Sequence, residues 1–401
     1  MLKKVKPYIK KVLKATLLNS YNFIVNLCWE FFVMLYMCLH HEREVEYRKN
    51  LDVSQFVKAE TCTLSFEILV MTEKTKTEIN IETLDGFPVD ALFAPNRWER
   101  VVVQADVYSL KNEKCCLLVL NEKEDEQVEI KNINVSKPLG NLFDGGRLYQ
   151  LPPAYAQSMG YVYLTKKNKV VVVDGGGEKD KDELTAVVSK FSNEIEHLFV
   201  THYHSDHICA LIELFKEDKI KVKNLYFDFP PEEIFLTVKG DGDNHLVKEF
   251  IDVIPQGVNV IRPSRGYFVK IDELTVTALN DACFDDGPNF CNDSGIIYKF
   301  DTGKSKILFI GDVGAKGDDY ITDEWFCKEI EDCNVVQMAH HGQNGVSKEF
   351  YDKIKKIDLC LYPAPWWLYN GWGTPKTRAW MRAKGVLRSC PCIPPITIEI
   401  K

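Results

Sequence analysis

Thr201-His202-Tyr203-His204-Ser205-Asp206-His207 places four candidate metal ligands within six consecutive positions. Imidazole nitrogen and carboxylate oxygen are the donors that Zn²⁺, Mn²⁺ or Fe accept at roughly 2 Å, and a polar turn seldom gathers them this densely. Before the motif, residues 197–201 form a short apolar run; after it, Ile208, Leu211, Ile212 and Phe215 recur at helical spacing. The motif therefore occupies a strand-to-helix junction. In extended backbone, residues two apart face the same side, which lets His202 and His204 converge on one ion. Asp206 and His207 fall at the helix entrance, within reach of a second ion, where the carboxylate also suits the positive helix end.

Three further stretches put acids or imidazoles after apolar strands. VVVVDGGG (170–177) ends at Asp174 before Gly-rich backbone, ILFIGD (307–312) ends at Asp312, and QMAHHG (337–342) delivers His340 and His341. In this order the four motifs resemble the metallo-β-lactamase superfamily, with THYHSDH as its HxHxDH signature, over roughly residues 147–401. The resemblance implies an αββα sandwich carrying two divalent ions at one edge, zinc foremost and Mn or Fe as alternatives. Carried over by position, His202 and His204 hold the first ion. Asp206, His207 and one histidine of the 340–341 pair hold the second, Asp312 bridges both, and Asp174 orients the ligand loop from behind. His341 is the favoured ligand of the pair, leaving His340 as a donor to substrate or developing charge. The chemistry implied is hydrolysis by water whose pKa falls toward about 7. Asp206 or Asp312 would orient that water or accept its proton, and His340 would steady the transition state.

One departure from the family pattern concerns the first ion. Lactamase and glyoxalase members carry another ligand histidine before the bridging acid, but residues 208–311 contain only His245, in a stretch that reads as a solvated loop entering a helix. Asp293 is a substitute ligand or the head of an Asx-turn. The HHG run is similar to competence-type DNA-internalisation metallohydrolase domains and bacterial phosphorylcholine esterases. By that analogy a phosphoester is preferred over a lactam or thioester. No nucleophile elbow, Walker motif or dinucleotide fingerprint occurs, which argues against covalent and nucleotide-cofactor chemistry.

The 401 residues suffice for two domains, and 45% hydrophobic with 27% charged residues is ordinary for a globular chain. A formal charge of −8 disfavours general nucleic-acid binding, so a small anionic ester is the expected partner. Thirteen scattered cysteines with no CxxC argue against a disulfide framework and suit the cytoplasm. Within YPAPWWLYNGWG (362–373), Trp366, Trp367 and Trp372 either wall a substrate or close a core. Lys376 and Arg378 beyond them either receive an anion or are simply solvated.

Residues 1–45 read as a basic, apolar N-terminal helix. Six lysines precede residues 17–39, long enough to span a bilayer, yet Asn19, Asn22, Asn26 and Glu30 line one face. An interfacial anchor, a spanning helix and a packed soluble helix all remain open. Residues 50–137 alternate polar and apolar positions, as at Leu64, Phe66, Ile68 and Val70, and read as a small all-β accessory sandwich with weak likeness to carbohydrate-binding modules. A Pro- and Gly-bearing linker leads from there into the hydrolase domain at 147–401. The expected function is a binuclear metal-dependent phosphoester or phosphodiester hydrolase. The alternatives are a glycan- or membrane-associated binding protein with a non-catalytic metal domain, and a thioester or lactam hydrolase.

Overall fold

Val170–Val173 shows why the catalytic half is layered. Side chains alternate along a strand, so Val171 and Val173 enter a core shared between two sheets, while Val170 and Val172 enter a second core beneath helices. All four are buried, as a strand covered on both faces requires. The computed structural model describes residues 45–52, 61–73, 77–83, 89–93, 95–106, 114–120, 127–136, 146–151, 157–218, 220–235, 243–284, 289–365, 368–369, 373–386, 388–391 and 396–397.

One sheet runs in the order Asn259–Ile261, Lys221–Tyr226, Glu194–Phe199, Val170–Val173, Tyr161–Leu164, Arg147–Gln150 and Ile396–Thr397. Its first four strands are mutually parallel and the rest antiparallel. The facing sheet repeats the alternation: Ile307, Phe309, Val335 and Leu361 point into the shared core, whereas Leu308, Val336 and Cys360 meet Phe326, Ile330, Phe350 and Met381 on the outer side. Helix Ser205–Glu217 buries Ile208, Leu211, Ile212 and Phe215 against the outer side of the first sheet. Helix, sheet, sheet and helix thus stack as the αββα arrangement that the motifs implied. A second helix, Lys181–Ser189, turns Leu184, Val187 and Val188 inward.

The strands read between residues 50 and 137 form, but they do not keep to themselves. Val45–Asp52, Lys114–Leu120, Thr77–Thr83 and Val89–Phe93 extend the second sheet, joining it where Val89–Phe93 pairs with Arg388–Pro391. Trp98–Asp106, Thr61–Met71 and Gln127–Ser136 make a separate three-stranded sheet whose Phe66, Ile68 and Val70 complete the inter-sheet core. Pairing with Val89–Phe93 covers backbone groups that Arg388–Pro391 would otherwise expose as a sheet edge. Residues Val45–Lys401 accordingly make one compact unit. The apolar stretch 17–39 and Trp366, Trp367 and Trp372 lie outside the described residues. Among those described, no helix is long and apolar enough to cross a membrane.

Candidate metal centre

Every loop that carries a sequence-predicted ligand leaves the carboxyl end of a parallel strand, the usual place for sites in such sheets. Asp174 follows Val170–Val173 and the histidine-rich motif follows Glu194–Phe199. Asp312 follows Lys306–Phe309, and His340 and His341 follow Val335–Gln337. Close packing brings these loops together. At Gly311, whose φ is +62°, a Cβ would stand 3.0 Å from the Thr201 side chain. At Gly175 it would stand 2.5 Å from Leu211 of the following helix, so larger residues at either position would push the ligand loops apart.

The hydrogen bonds behind the histidines decide which nitrogen each presents. Asp174 Oδ1 accepts the Thr201 amide at 2.8 Å, and its Oδ2 accepts the Thr201 hydroxyl at 2.7 Å. His207 Nδ1 lies 2.8 Å from the same Oδ2 and His341 Nδ1 lies 2.6 Å from the Pro363 carbonyl, so each Nδ1 carries the proton and donates it. The Thr201 hydroxyl is already spent as a donor, so His202 Nδ1, 3.1 Å away, donates to it in turn. Each of the three rings thus turns Nε2 inward, which is how an outer carboxylate or carbonyl prepares an imidazole for a metal.

Those inward atoms converge. His202 Nε2 is 3.1 Å from His204 Nδ1. His341 Nε2 is 3.1 Å from Asp206 Oδ2 and 3.2 Å from Asp312 Oδ2, and His207 Nε2 is 3.3 Å from Asp312 Oδ1. Among the described residues three ligand groups result, each with donor atoms within 4.8 Å of one another: His202, His204 and Cys291; His202, His207 and Asp312; Asp206, His207 and His341. His207 Nε2, His341 Nε2 and Asp312 Oδ1 are buried with no hydrogen-bond partner. Such groups cost about 1–3 kcal/mol each when left unsatisfied, and a cation among them removes that cost.

Electrostatics draws positive charge to the same spot. Burial opposes ionisation of Asp312, yet His341 and His207 hold its carboxyl well below the usual range. Asp206 is also lowered, against burial, by His341 above all. Burial likewise opposes charge on His341, but Asp312 and Asp206 lift it to about 10, and Asp312 and Asp174 raise His207. His202 moves down, through burial and then the neighbouring His207. Two carboxylates in a dry site thus keep their charge and demand cationic company, which a divalent ion satisfies well.

The residues predicted for the centre are therefore gathered, with differences of detail. His341 is wholly buried within a ligand group; the His340 side chain is 27% exposed, with Nε2 3.9 Å from Asp312 Oδ2. Both have left-handed backbone, at φ 51° and 56°, a conformation that non-glycine residues keep only when the surroundings enforce it. Asp293 Oδ1 accepts the Gly314 amide at 2.9 Å and joins no ligand group among the described residues, and His245 is exposed on helix Asn244–Val253. Lys376 is exposed above the Trp380 ring, whereas Arg378 is buried against Tyr369.

Two residues escaped the sequence reading. Cys291 enters beside His202 and His204. Gln337, wholly buried, accepts the Ile310 and Gly311 amides at 2.7 and 2.8 Å and donates to the Gly311 and Met338 carbonyls at 3.1 and 2.8 Å. It ties the Asp312 loop to the strand that leads to His340 and His341. Its place in QMAHHG was the one signal available.

Residues 156–235 match the family model described as the metallo-beta-lactamase superfamily. The matched segment carries Asp174 and the histidine-rich motif, and the αββα layering around it is consistent with a metallo-beta-lactamase fold. Similar solved structures include the metallo-beta-lactamase fold protein YhfI from Bacillus subtilis, at 13% identity and TM-score 0.38, covering 59% of this chain and 92% of that one. CmlA, a diiron beta-hydroxylase from Streptomyces venezuelae, is 14% identical with TM-score 0.43; the alignment covers 66% of this chain and 55% of CmlA. A HARLDQ-motif metallo-beta-lactamase from Cronobacter sakazakii is 10% identical with TM-score 0.33, covering 49% of this chain and 78% of that one. No curated protein matches the sequence.

Proposed function

We propose that the protein is a metal-dependent hydrolase that holds two divalent ions, zinc foremost, and acts on a phosphoester or phosphodiester. The observation that carries this reading is the convergence of His207 Nε2, His341 Nε2 and Asp312 Oδ1, all buried and none hydrogen-bonded. His202 and His204 would hold one ion, and Asp206, His207 and His341 the other. Asp312 would serve both, since it shares a group with His202 of one set and His207 of the other. Bound cations supply Lewis-acid charge that polarises a substrate oxygen and acidifies the attacking water.

The chain's own residues do the remainder. Asp174, through Thr201 and His207, keeps the ligand imidazoles in one tautomer and orientation. The Asp206 side chain, 22% exposed, is the carboxylate best placed to take a proton from the water and pass it to solvent. His340, partly exposed and close to Asp312, is placed to donate to negative charge developing on the substrate. The choice of a phosphoester rests on the HHG run and on the missing further histidine. Elemental analysis of protein purified without added metal, followed by turnover of bis-aryl phosphodiesters, tests the reading. Asp312→Ala should lower metal content and hydrolysis together. Metal-replete wild-type protein that turns over no ester, thioester or lactam would favour a recognition role instead.

A further inference from the structure

The first ion position has only two histidines from the signature motif, and the third side chain at that position is a cysteine. Cys291, 1% exposed, belongs to the short helix Phe290–Asp293. Its Sγ and the ring nitrogens of His202 and His204 all lie within 4.8 Å of one another. Just beyond the helix, the Ile296 amide donates to the Thr201 carbonyl of the ligand loop at 3.0 Å, and Asn280 Nδ2 donates to the neighbouring Gly295 carbonyl at 2.8 Å. Ser294 Oγ donates to the Cys291 carbonyl at 2.7 Å, fixing the turn that presents the thiol. Meanwhile Asp293, the nearest acid on this segment, is committed to the Gly314 amide at 2.9 Å.

A buried cysteine is commonly a small packing residue, and Cys291 does touch an apolar cluster. Its company at the other end sets it apart. His202 also stands in a ligand group with His207 and Asp312, whose buried Nε2 and Oδ1 are unpartnered and face the same site. We propose that Cys291 binds the first ion through its thiolate, completing a His202, His204 and Cys291 set in place of the family's additional histidine. The assignment rests on the reading that cations occupy this centre. It also narrows their class: a thiolate is a soft donor that favours zinc, cobalt or cadmium over manganese or magnesium.

The test uses the full chain loaded with Co²⁺ or Zn²⁺. A Co²⁺-loaded wild type should show a thiolate-to-metal charge-transfer band in the near ultraviolet beside the visible cobalt bands. Cys209→Ser should keep it. Cys291→Ser should abolish it and weaken binding of one of the two ions at least 10-fold, while the second ion stays. X-ray absorption of the zinc-loaded wild type, which needs no variant, should find one sulfur for every two zinc ions at about 2.3 Å. Visible cobalt bands without a thiolate band, or zinc with only nitrogen and oxygen neighbours, would overturn the Cys291 assignment alone. A wild type that takes up neither metal would overturn the metal centre itself.

Discussion

Gln337→Met isolates the contribution of one buried amide, because methionine keeps the side chain's length and volume but offers no comparable hydrogen bond. The wild-type side chain accepts from Ile310 and Gly311 and donates to Gly311 and Met338. The Gly311 carbonyl retains the His340 amide at 3.0 Å, so the principal damage is two buried N–H groups left without an acceptor. At about 1–3 kcal/mol for each orphaned donor, the loss should be about 2–6 kcal/mol, a large share of an ordinary domain's margin of about 5–15 kcal/mol. Part of that loss can be relieved by rotating the Ile310–Gly311 peptides toward other acceptors. Any such rotation moves Asp312, so weaker metal binding by about 10–100-fold should accompany a smaller stability loss. Urea unfolding with a chelator present measures the first effect, and competition against a chromophoric chelator measures the second. Gln337→Met protein that unfolds within about 0.5 kcal/mol of the wild type and binds metal equally tightly would refute the reasoning.

Three further outcomes are expected. His341→Ala should lose metal, whereas His340→Ala should keep it and lose on the order of 10²–10³ in kcat; the reverse pattern of metal content would exchange their roles. His197, stacked on Tyr226 with Nδ1 2.8 Å from its hydroxyl, is pushed by burial down to about 4. The unfolded chain then binds the extra proton first, so stability from this residue is present above about pH 6.5 and is lost as pH falls toward about 4. The unfolding free energies of wild type and His197→Phe should therefore diverge by about 2 kcal/mol between those limits, and a pH-independent difference would dismiss the effect. The lysine-rich start of the chain should sediment with anionic liposomes at low salt, and release by salt would mark surface rather than spanning attachment. Absence of sedimentation would refute both membrane readings.

The candidate centre was legible in the sequence where its residues are local. His202, His204, Asp206 and His207 crowd one junction, and Asp312, His340 and His341 each end an apolar run, which drew notice through the family resemblance. Cys291 was not readable, because one cysteine among thirteen gains meaning only when the chain just after its helix, at Ile296, docks on the Thr201 carbonyl. Gln337 was hidden for a related reason, since satisfying buried donors of another loop is a three-dimensional property. Strand positions between 61 and 136 followed from alternation, but their partners did not. Nothing in Val89–Phe93 reveals that its neighbour is Arg388–Pro391, because pairing depends on register and proximity that composition does not encode.

That last pairing bears on how the molecule is made. Ala91 meets Arg388, and Gln150 of the other sheet meets Ile396, so early strands of the compact unit are joined to strands far later in the sequence. Neither junction can form until both of its strands have been made. The early strands must wait with backbone groups unmatched, open to association with neighbouring nascent chains. Closure brings together residues far apart along the chain, a slow class of folding step.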